Sequence, residues 1–408
     1  MSDLSDLVLN IPRDKTLKNI ADSVQAMAYA MAATNMENLT WKAVQNYVEN
    51  GFASKYYQYG DQFAEKWNDT AASKEYDCPF HVSHFGEYRN ENDDIFDGMA
   101  IQSHYAHPFG IPFSKRAFLK CPEGLAAGTY HLDFAASWGD NQDAKPGIAY
   151  SFTLTKPVPE GGSLYGFSQL PDVSYTNWKV TSYAADGKTV IEGPVSVKKS
   201  NDGTNLGTLQ LTKRNENLNS MQEAAYGYNR WKYSALRQYL NSDKGKGEWW
   251  TKQDDWDIAP DELATKAGYL TGLSDELKSV MKTVKVTTYT NTVCDDGSAD
   301  ITYDKVFLPS LEELYIVPQI KGEGSIHEYW KERSGATAPL AQHGTYTRMI
   351  SYSMSDHNSA QYQRLRSARR GYACNTWRVD TSGTVSSYGG ALWAFAFLPI
   401  IVIGGKSK

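Results

Sequence analysis

The sequence is poor in the features that mark several common protein classes. It has four cysteines, Cys78, Cys121, Cys294 and Cys374, with no CxxC spacing among them. That pattern describes neither a disulfide framework nor a zinc finger, and the four read as free thiols. Long apolar runs are missing as well. The best candidate, ALWAFAFLPIIVIG from Ala391 to Gly404, is interrupted by Pro399 and falls short of the ~20 residues that a bilayer span requires. It reads as a buried pair of core strands, so no membrane insertion is expected. The opening MSDLSDLVLNIPRDK is acidic and holds only a short apolar run. It lacks the basic start and apolar stretch of a secretory signal, and synthesis in a cytoplasm is expected. Neither sign of charge dominates: 41 Lys+Arg stand against 47 Asp+Glu, a net charge of −6. This argues against a protein that coats nucleic acid through bulk charge, and no nucleic-acid partner is expected.

Motifs of familiar chemistry are also missing. There is no G-x-S-x-G elbow, no Cys-His pair of informative spacing and no Walker loop,. Gly161-Gly162 sits beside prolines in a loop. The adjacent carboxylates Glu312-Glu313 and Asp295-Asp296 have structural readings, the first at a helix start and the second in a turn. No catalytic residue and no cofactor is assigned, and no internal repeat is found.

What is there is length, alternation and aromatic rings. A chain of 408 residues has room for two or three domains of ~150 residues, each with a core. Aromatics make up 13% of it, carried by 27 Tyr and 11 Trp more than by 14 Phe, and such amphipathic rings suit binding faces as well as cores. From Lys15 to Met31 the spacing of Leu17, Ile20, Val24, Met27 and Met31 predicts an amphipathic helix, and Thr40 caps a second, WKAVQNYVENG, that stops at Gly51. Residues 1–53 are therefore expected to form a helical attachment or oligomerisation segment.

From residue 54 to about 215 short alternating runs are broken by Gly, Pro, Asn and Asp, with Asp186-Gly187 and Asp202-Gly203 as hairpin turns. An antiparallel β-sandwich is expected there, with PVPEGGSLYGFSQLPD as a long loop inside it. Residues 216–408 read as a mixed domain. It holds a helix in YGYNRWKYSALRQYLNS, a second in SDELKSVMKTV, strands around the acidic turn CDDGSAD, and a capping box at Ser310 and Glu313. The expected fold class is α+β and β-rich.

Two constellations could carry function. Five of the eight histidines fall between His81 and His131, four of them as HVSH (His81, His84) and HYAH (His104, His107), with Cys78, Asp93 and Asp94 nearby. Such pairs can supply imidazoles to zinc or iron. Pro79 and Pro108 disfavour the helix that would align them, and on a strand the rings of each pair point to opposite faces. Polar loops with satisfied hydrogen bonds are one reading, and a metal-dependent enzyme built on converging pairs is the other. The second constellation is QRLRSARRGYACNTWR, where Arg364, Arg366, Arg369, Arg370 and Arg378 are interleaved with Tyr372 and Trp377. Arginine with aromatics is the composition of binding hot spots, and the Ser, Asn and Gly around it that of adaptable loops.

The order YGYNRWKYSALRQYLNS, EWW, DKVFLPSLEEL and RSARRGYACNTWRVDTSGTVSSYGGALWAFAFLPIIVI resembles a phage- and prophage-associated C-type-lectin-like family. That family is related in fold to formylglycine-generating-enzyme-like domains and similar to the variable proteins of diversity-generating retroelements. The resemblance covers residues 226–404. It implies a C-terminal C-type-lectin-like domain whose loops bind a ligand between Arg364 and Trp393, with Arg364, Arg369, Arg370, Tyr372, Asn375, Thr376, Ser387, Tyr388 and Trp393 as the contact residues. It further implies a virion structural protein, such as a capsid- or tail-attached fibre, decoration protein or adhesin. Its partners would be other virion proteins and a host-surface glycan or protein, and its assembly a homo-oligomer such as a trimer. The calcium-ligating signatures of sugar-binding lectins are absent from this domain; Trp67-Asn68-Asp69 lies far upstream. The reactive cysteine pair of the enzyme branch has only Cys294 and Cys374 to match it, so catalysis by that route is not expected. A prophage interaction protein never packaged in a particle is the alternative within the same fold.

Overall fold

The computed structural model describes residues 40–134, 149–166, 179–200, 208–211 and 220–407. The Lys15–Met31 helix and the Asp202-Gly203 turn expected from the sequence lie outside them. The fold is α+β and β-rich, with several antiparallel sheets. At its centre is a five-stranded sheet in the spatial order Gln62–Phe63, Phe80–Arg89, Ile95–Ser103, Ile400–Ser407, Val306–Phe307. Residues from the two ends of the described chain meet in it: Ile401 pairs with Ile101 and Val402 with Ala100. The residues force this arrangement. Phe80–Ser83 and Met99–Ser103 are buried without alternation, so they need cover on both faces and partners along their edges, and the apolar β-branched run IIVI supplies one such edge.

One face is covered by the helix Trp41–Glu49, whose Thr40 hydroxyl accepts from the Ala43 N–H at 3.2 Å and whose Trp41, Val44, Tyr47 and Val48 are buried. Gly51, at φ +68°, ends that segment in the left-handed conformation glycine favours. The opposite face meets the helix Glu328–Ser334: His81 alternates with Phe80 and Val82 and lies 3.9 Å from the Tyr329 ring. The Trp41–Glu49 helix is thus part of the central core and not of a separate attachment segment.

A sandwich interrupts this unit. Leu119–Cys121, Gly162–Tyr165, Lys179–Tyr183 and Val190–Ser196 form one sheet, and Gly128–Phe134, Ala149–Leu154, Lys198–Ser200 and Thr208–Leu211 the other. Phe118, Phe152, Leu154, Val158, Leu164 and Val180 fill the space between them. Asp186-Gly187 makes the expected turn, with the Asp186 carboxylate accepting from the N–H groups of Lys188 and Thr189 at 2.9 and 2.8 Å. Several expectations need correction. The sandwich occupies 119–211 rather than 54–215, because Gln62–Phe63, Phe80–Arg89 and Ile95–Ser103 belong to the central sheet and Lys66–Asp69 with Lys74–Asp77 to a hairpin of their own. The boundary near 215 separates two legs of one unit, since the ladder between 95–103 and 400–407 crosses it. One sandwich pair, Thr208–Leu211 with His131–Phe134, is parallel. The stretch PVPEGGSLYGFSQLPD contains the strand Gly162–Tyr165 rather than only loop. The run ALWAFAFLPIIVIG makes one strand rather than two: the chain before Pro399 crosses the core without a ladder, Pro399 having no N–H to donate,.

Beyond the sandwich the expected elements are present. The helix Ala235–Leu240 is capped by Ser234 and stops at Asn241, with Trp231, Leu236, Tyr239 and Leu240 buried. The capping box forms in both directions, Ser310 N–H to Glu313 at 2.9 Å and Glu313 N–H to the Ser310 hydroxyl at 3.2 Å, around a turn instead of a helix. Cys78, Cys121, Cys294 and Cys374 are free thiols. Trp67 is buried and Asp69 pairs with Lys266 at 2.8 Å, which gives that tripeptide a structural role.

Where the sandwich joins the central unit, the buried Arg116 meets three carboxylates: Asp254 at 2.6 Å, Glu223 at 3.3 Å, and Asp257. Removing one member of such a cluster strands the others without compensation. Arg116→Met is expected to cost roughly 3–5 kcal/mol of stability, read from urea unfolding of the full chain; a loss below about 1 kcal/mol would show that the cluster does not hold the junction.

Candidate ligand-binding face

The candidate site is built on a three-stranded sheet of Gln363–Ala368, Asn375–Val379 and Val385–Gly390. One side of this sheet packs Leu365, Trp377, Val379 and Val385 against Leu311, Leu314 and Trp330. The strand period of two turns the alternate residues to the other side, where Arg364 pairs with Arg378 and Arg378 with Ser386; the register shifts between Ser386 and Gly389, and Tyr388 stands exposed at that irregularity,. Trp377, which the sequence places among the binding aromatics, is therefore core.

Of the nine expected contact residues, Arg369, Tyr372 and Tyr388 cluster, and Trp393 is exposed beside Phe395 and Tyr226. Tyr388 is 59% and Trp393 39% exposed. The Arg369 guanidinium stacks on Tyr372 at 3.7 Å and reaches Tyr388 at 5.2 Å. Asn375, half-buried, stands at the edge of the cluster. The remaining four hold the face up instead of presenting it. Arg370 donates to the carbonyls of Thr290 and Gly297 at 3.1 and 3.0 Å, tying the sheet to the neighbouring hairpin. Arg364 is fully buried and donates to the Thr376 hydroxyl at 2.6 Å and to the carbonyls of Gly389, Gly390 and Trp393 at 3.3, 2.9 and 2.6 Å. Burial and the nearby Arg378 charge push its pKa down to about 9,. Thr376 is buried and donates to Gly389 at 3.1 Å, and Ser387 is buried on the inward side of its strand. Arg364 and Thr376 are thus not ligand contacts, because their donors are spent on backbone carbonyls under the crossing segment 391–399, and Ser387 is not one because it is buried.

Sequence reasoning missed two groups. Tyr362 and Phe395 flank Arg378 at 4.7 and 4.6 Å; they lie outside the Arg-rich motif, and only the fold brings them beside it. Asn229 is fully buried in YGYNRW, and its amide donates to the carbonyls of Tyr372 and Asn375 at 2.6 and 2.7 Å and of Arg369 at 3.3 Å. It fixes the loop that carries Arg369 and Tyr372, and Asn291 donates in turn to its side-chain oxygen at 3.2 Å.

The histidines do not converge. His81 and His104 lie 5.4 Å apart, His84 stacks on His327 at 5.1 Å, and His107 sits in the core with its Nε2 at 3.0 Å from the Tyr239 hydroxyl. Among the described residues no group of three or more His, Cys, Asp or Glu is placed to hold a metal ion. The meeting of pairs on which the metal-enzyme reading depends is not formed. A cavity of about 360 Å³ opens beside His84 and His327, but the charges along it are engaged: Arg366 donates to Glu313 at 2.9 Å and also to the Glu323 carbonyl.

Residues 206–403, a little under half of the chain, match the model of a family described as a domain of unknown function, DUF6273. The match spans the three-stranded sheet and the Ile400–Ile403 part of the final strand, and omits the strands of 62–103 that complete the central sheet. No curated protein and no solved structure matches the chain.

Two measurable outcomes follow from this geometry. Asn229→Ala leaves the Tyr372 carbonyl without a donor and takes one of two donors from the carbonyls of Arg369 and Asn375; it is expected to cost roughly 1–3 kcal/mol, with faster proteolysis at 369–375, and an unchanged thermal midpoint would refute the anchoring role. Burial holds the imidazoles of His81, His107 and His327 well below their ordinary range, and lowers those of His84 and, to about 4, His104. The unfolded chain therefore takes up protons first as pH falls through about 6.5, and the folded state loses stability from there downward. Each of the three fully buried rings contributes a slope of about 1.4 kcal/mol per pH unit. Unfolding free energies equal at pH 7 and pH 5 would contradict this.

Proposed function

We propose that the chain is a recognition protein of a phage particle, carrying on its three-stranded sheet a face that binds a host-surface ligand. The observation that carries the reading is the exposed Tyr388 ring beside the Arg369–Tyr372 stack, with Trp393 a second exposed ring on the segment that follows. These are rigid amphipathic anchors at low conformational cost, the residue types in which binding energy concentrates. Arg364 and Asn229 support the reading, since they hold the presenting loops from below and limit the ordering that binding would cost. In this reading residues outside the central unit serve attachment to other virion proteins, and homo-oligomeric assembly multiplies weak contacts into avidity. The same face on a prophage interaction protein that is never packaged is told apart by mass spectrometry of purified virions.

Simultaneous replacement of Arg369, Tyr372 and Trp393 by alanine is expected to lower whole-cell binding at least tenfold, the equivalent of about 1.4 kcal/mol, with an unchanged thermal midpoint. Undiminished binding by the triple variant would place recognition elsewhere.

A further inference from the structure

Resting on that reading, we infer that the face contains an anion subsite centred on Arg378, which takes the carboxylate of an acidic sugar. Arg378 is half-buried on the strand Asn375–Val379, its guanidinium 4.7 Å from the Tyr362 ring and 4.6 Å from the Phe395 ring, against one flank of a ring pair whose centroids are 4.7 Å apart. Its Nε is shielded from solvent and has no hydrogen-bond partner. Among the described residues it makes no ion pair within 4 Å. The acid that acts on it, Asp380, accepts from the N–H groups of Ser382 and Thr384 at 2.9 and 3.0 Å and from the Ser382 hydroxyl at 2.6 Å, and so closes its own turn. Behind Arg378 stands Arg364, a second cation with carbonyl and hydroxyl partners only, on the other side of the Phe395 contact at 4.7 Å. Two guanidinium charges in one partly desolvated region with no carboxylate paired to either leave a positive potential. In a chain of net charge −6 that potential is local and not a property of the whole surface.

The Nη groups of Arg364 are engaged, whereas the guanidinium of Arg378 makes no hydrogen bond among the described residues, and its planar fork matches a carboxylate. Trp393 lies 5.8 Å from Phe395, so an exposed ring stands one side chain away from the cation. The negative face of an aromatic ring suits the weakly positive C–H face of a pyranose. A cation beside aromatic rings therefore fits a sugar acid, whose C–H face packs on a ring while its carboxylate reaches the guanidinium.

The test is calorimetric titration of the full chain with glucuronate, galacturonate and N-acetylneuraminate, each against its own methyl ester, with inorganic phosphate and poly-glutamate as further arms. At least one acid is expected to bind tenfold or more tightly than its ester. Arg378→Gln should abolish that difference while leaving the ester's affinity unchanged, and Arg378→Lys should retain only part of it. Tyr388→Ala, at an exposed position that leaves the core intact, should weaken acid and ester alike. Acids and esters binding equally, or no acid binding, overturns the inference, as does an Arg378→Gln chain that keeps the preference. Phosphate or poly-glutamate binding at Arg378 as tightly as the sugar acid overturns the ligand class. Each of these leaves the cell-binding loss of the Arg369, Tyr372 and Trp393 variant standing, so failure here is distinguishable from failure of the recognition reading itself.

Discussion

The structure depends on one ladder of hydrogen bonds, that between Ile95–Ser103 and Ile400–Ser407. Both strands are apolar on both faces over much of their length and cannot be left with an open edge in water. Their pairing brings chain separated by some three hundred residues into one sheet. Everything between them is then obliged to leave that sheet and return to it. The sandwich, the hairpin at Val284–Asp304 and the three-stranded sheet are successive excursions from the same base. This is why the helix Trp41–Glu49 and the helix Glu328–Ser334, distant in sequence, cover opposite faces of one layer.

The candidate face shows how polar residues do structural work when they are buried. Arg364 and Asn229 satisfy between them six backbone carbonyls of the loops above. Loops this close to a core carry polar groups that need partners. Supplying them from a side chain below leaves the upper surface free to vary in composition without losing its shape. The aromatics divide along the same line: Trp377 and Trp330 are consumed by the layer beneath, whereas Tyr388 and Trp393 have no core to enter.

Much of the local structure was legible in the sequence because it is governed by local rules. Thr40 and Ser310 make the capping bonds that their spacing calls for, and Asp186-Gly187 turns where a hairpin needs it. The sandwich strands could be read from alternation. The partner of each strand could not, because the period of two reports which face is buried and not what lies at the edge. IIVI and Met99–Ser103 both look like generic core strand; that they are neighbours is a fact of topology. The same limit applies at the site. An arginine-rich segment with aromatics was visible, but Arg364 and Arg378, paired across adjacent strands, have opposite fates, one spent on carbonyls and the other without hydrogen-bond partners against two rings. Alternation alone gives both the same side. What separates them is the crossing segment 391–399, which covers Arg364 and brings Phe395 to Arg378.

The late position of Ile400–Ser407 has a consequence for how the protein is made. On a ribosome, residues 80–103 emerge early and carry a hydrophobic strand whose partner has not been synthesised. Pairing across so long a separation is slow even when both strands exist, since the loop must close before any contact rewards it. Until then the Ile95–Ser103 edge is open to other chains, the kind of exposure that chaperones cover in large β-rich proteins. The sandwich faces no such wait, because its strands lie within a hundred residues of each other. A chain halted before residue 400 therefore lacks the strand that pairs with Ile95–Ser103 and Val306–Phe307 in the central sheet, whereas every described strand of the sandwich has already been made.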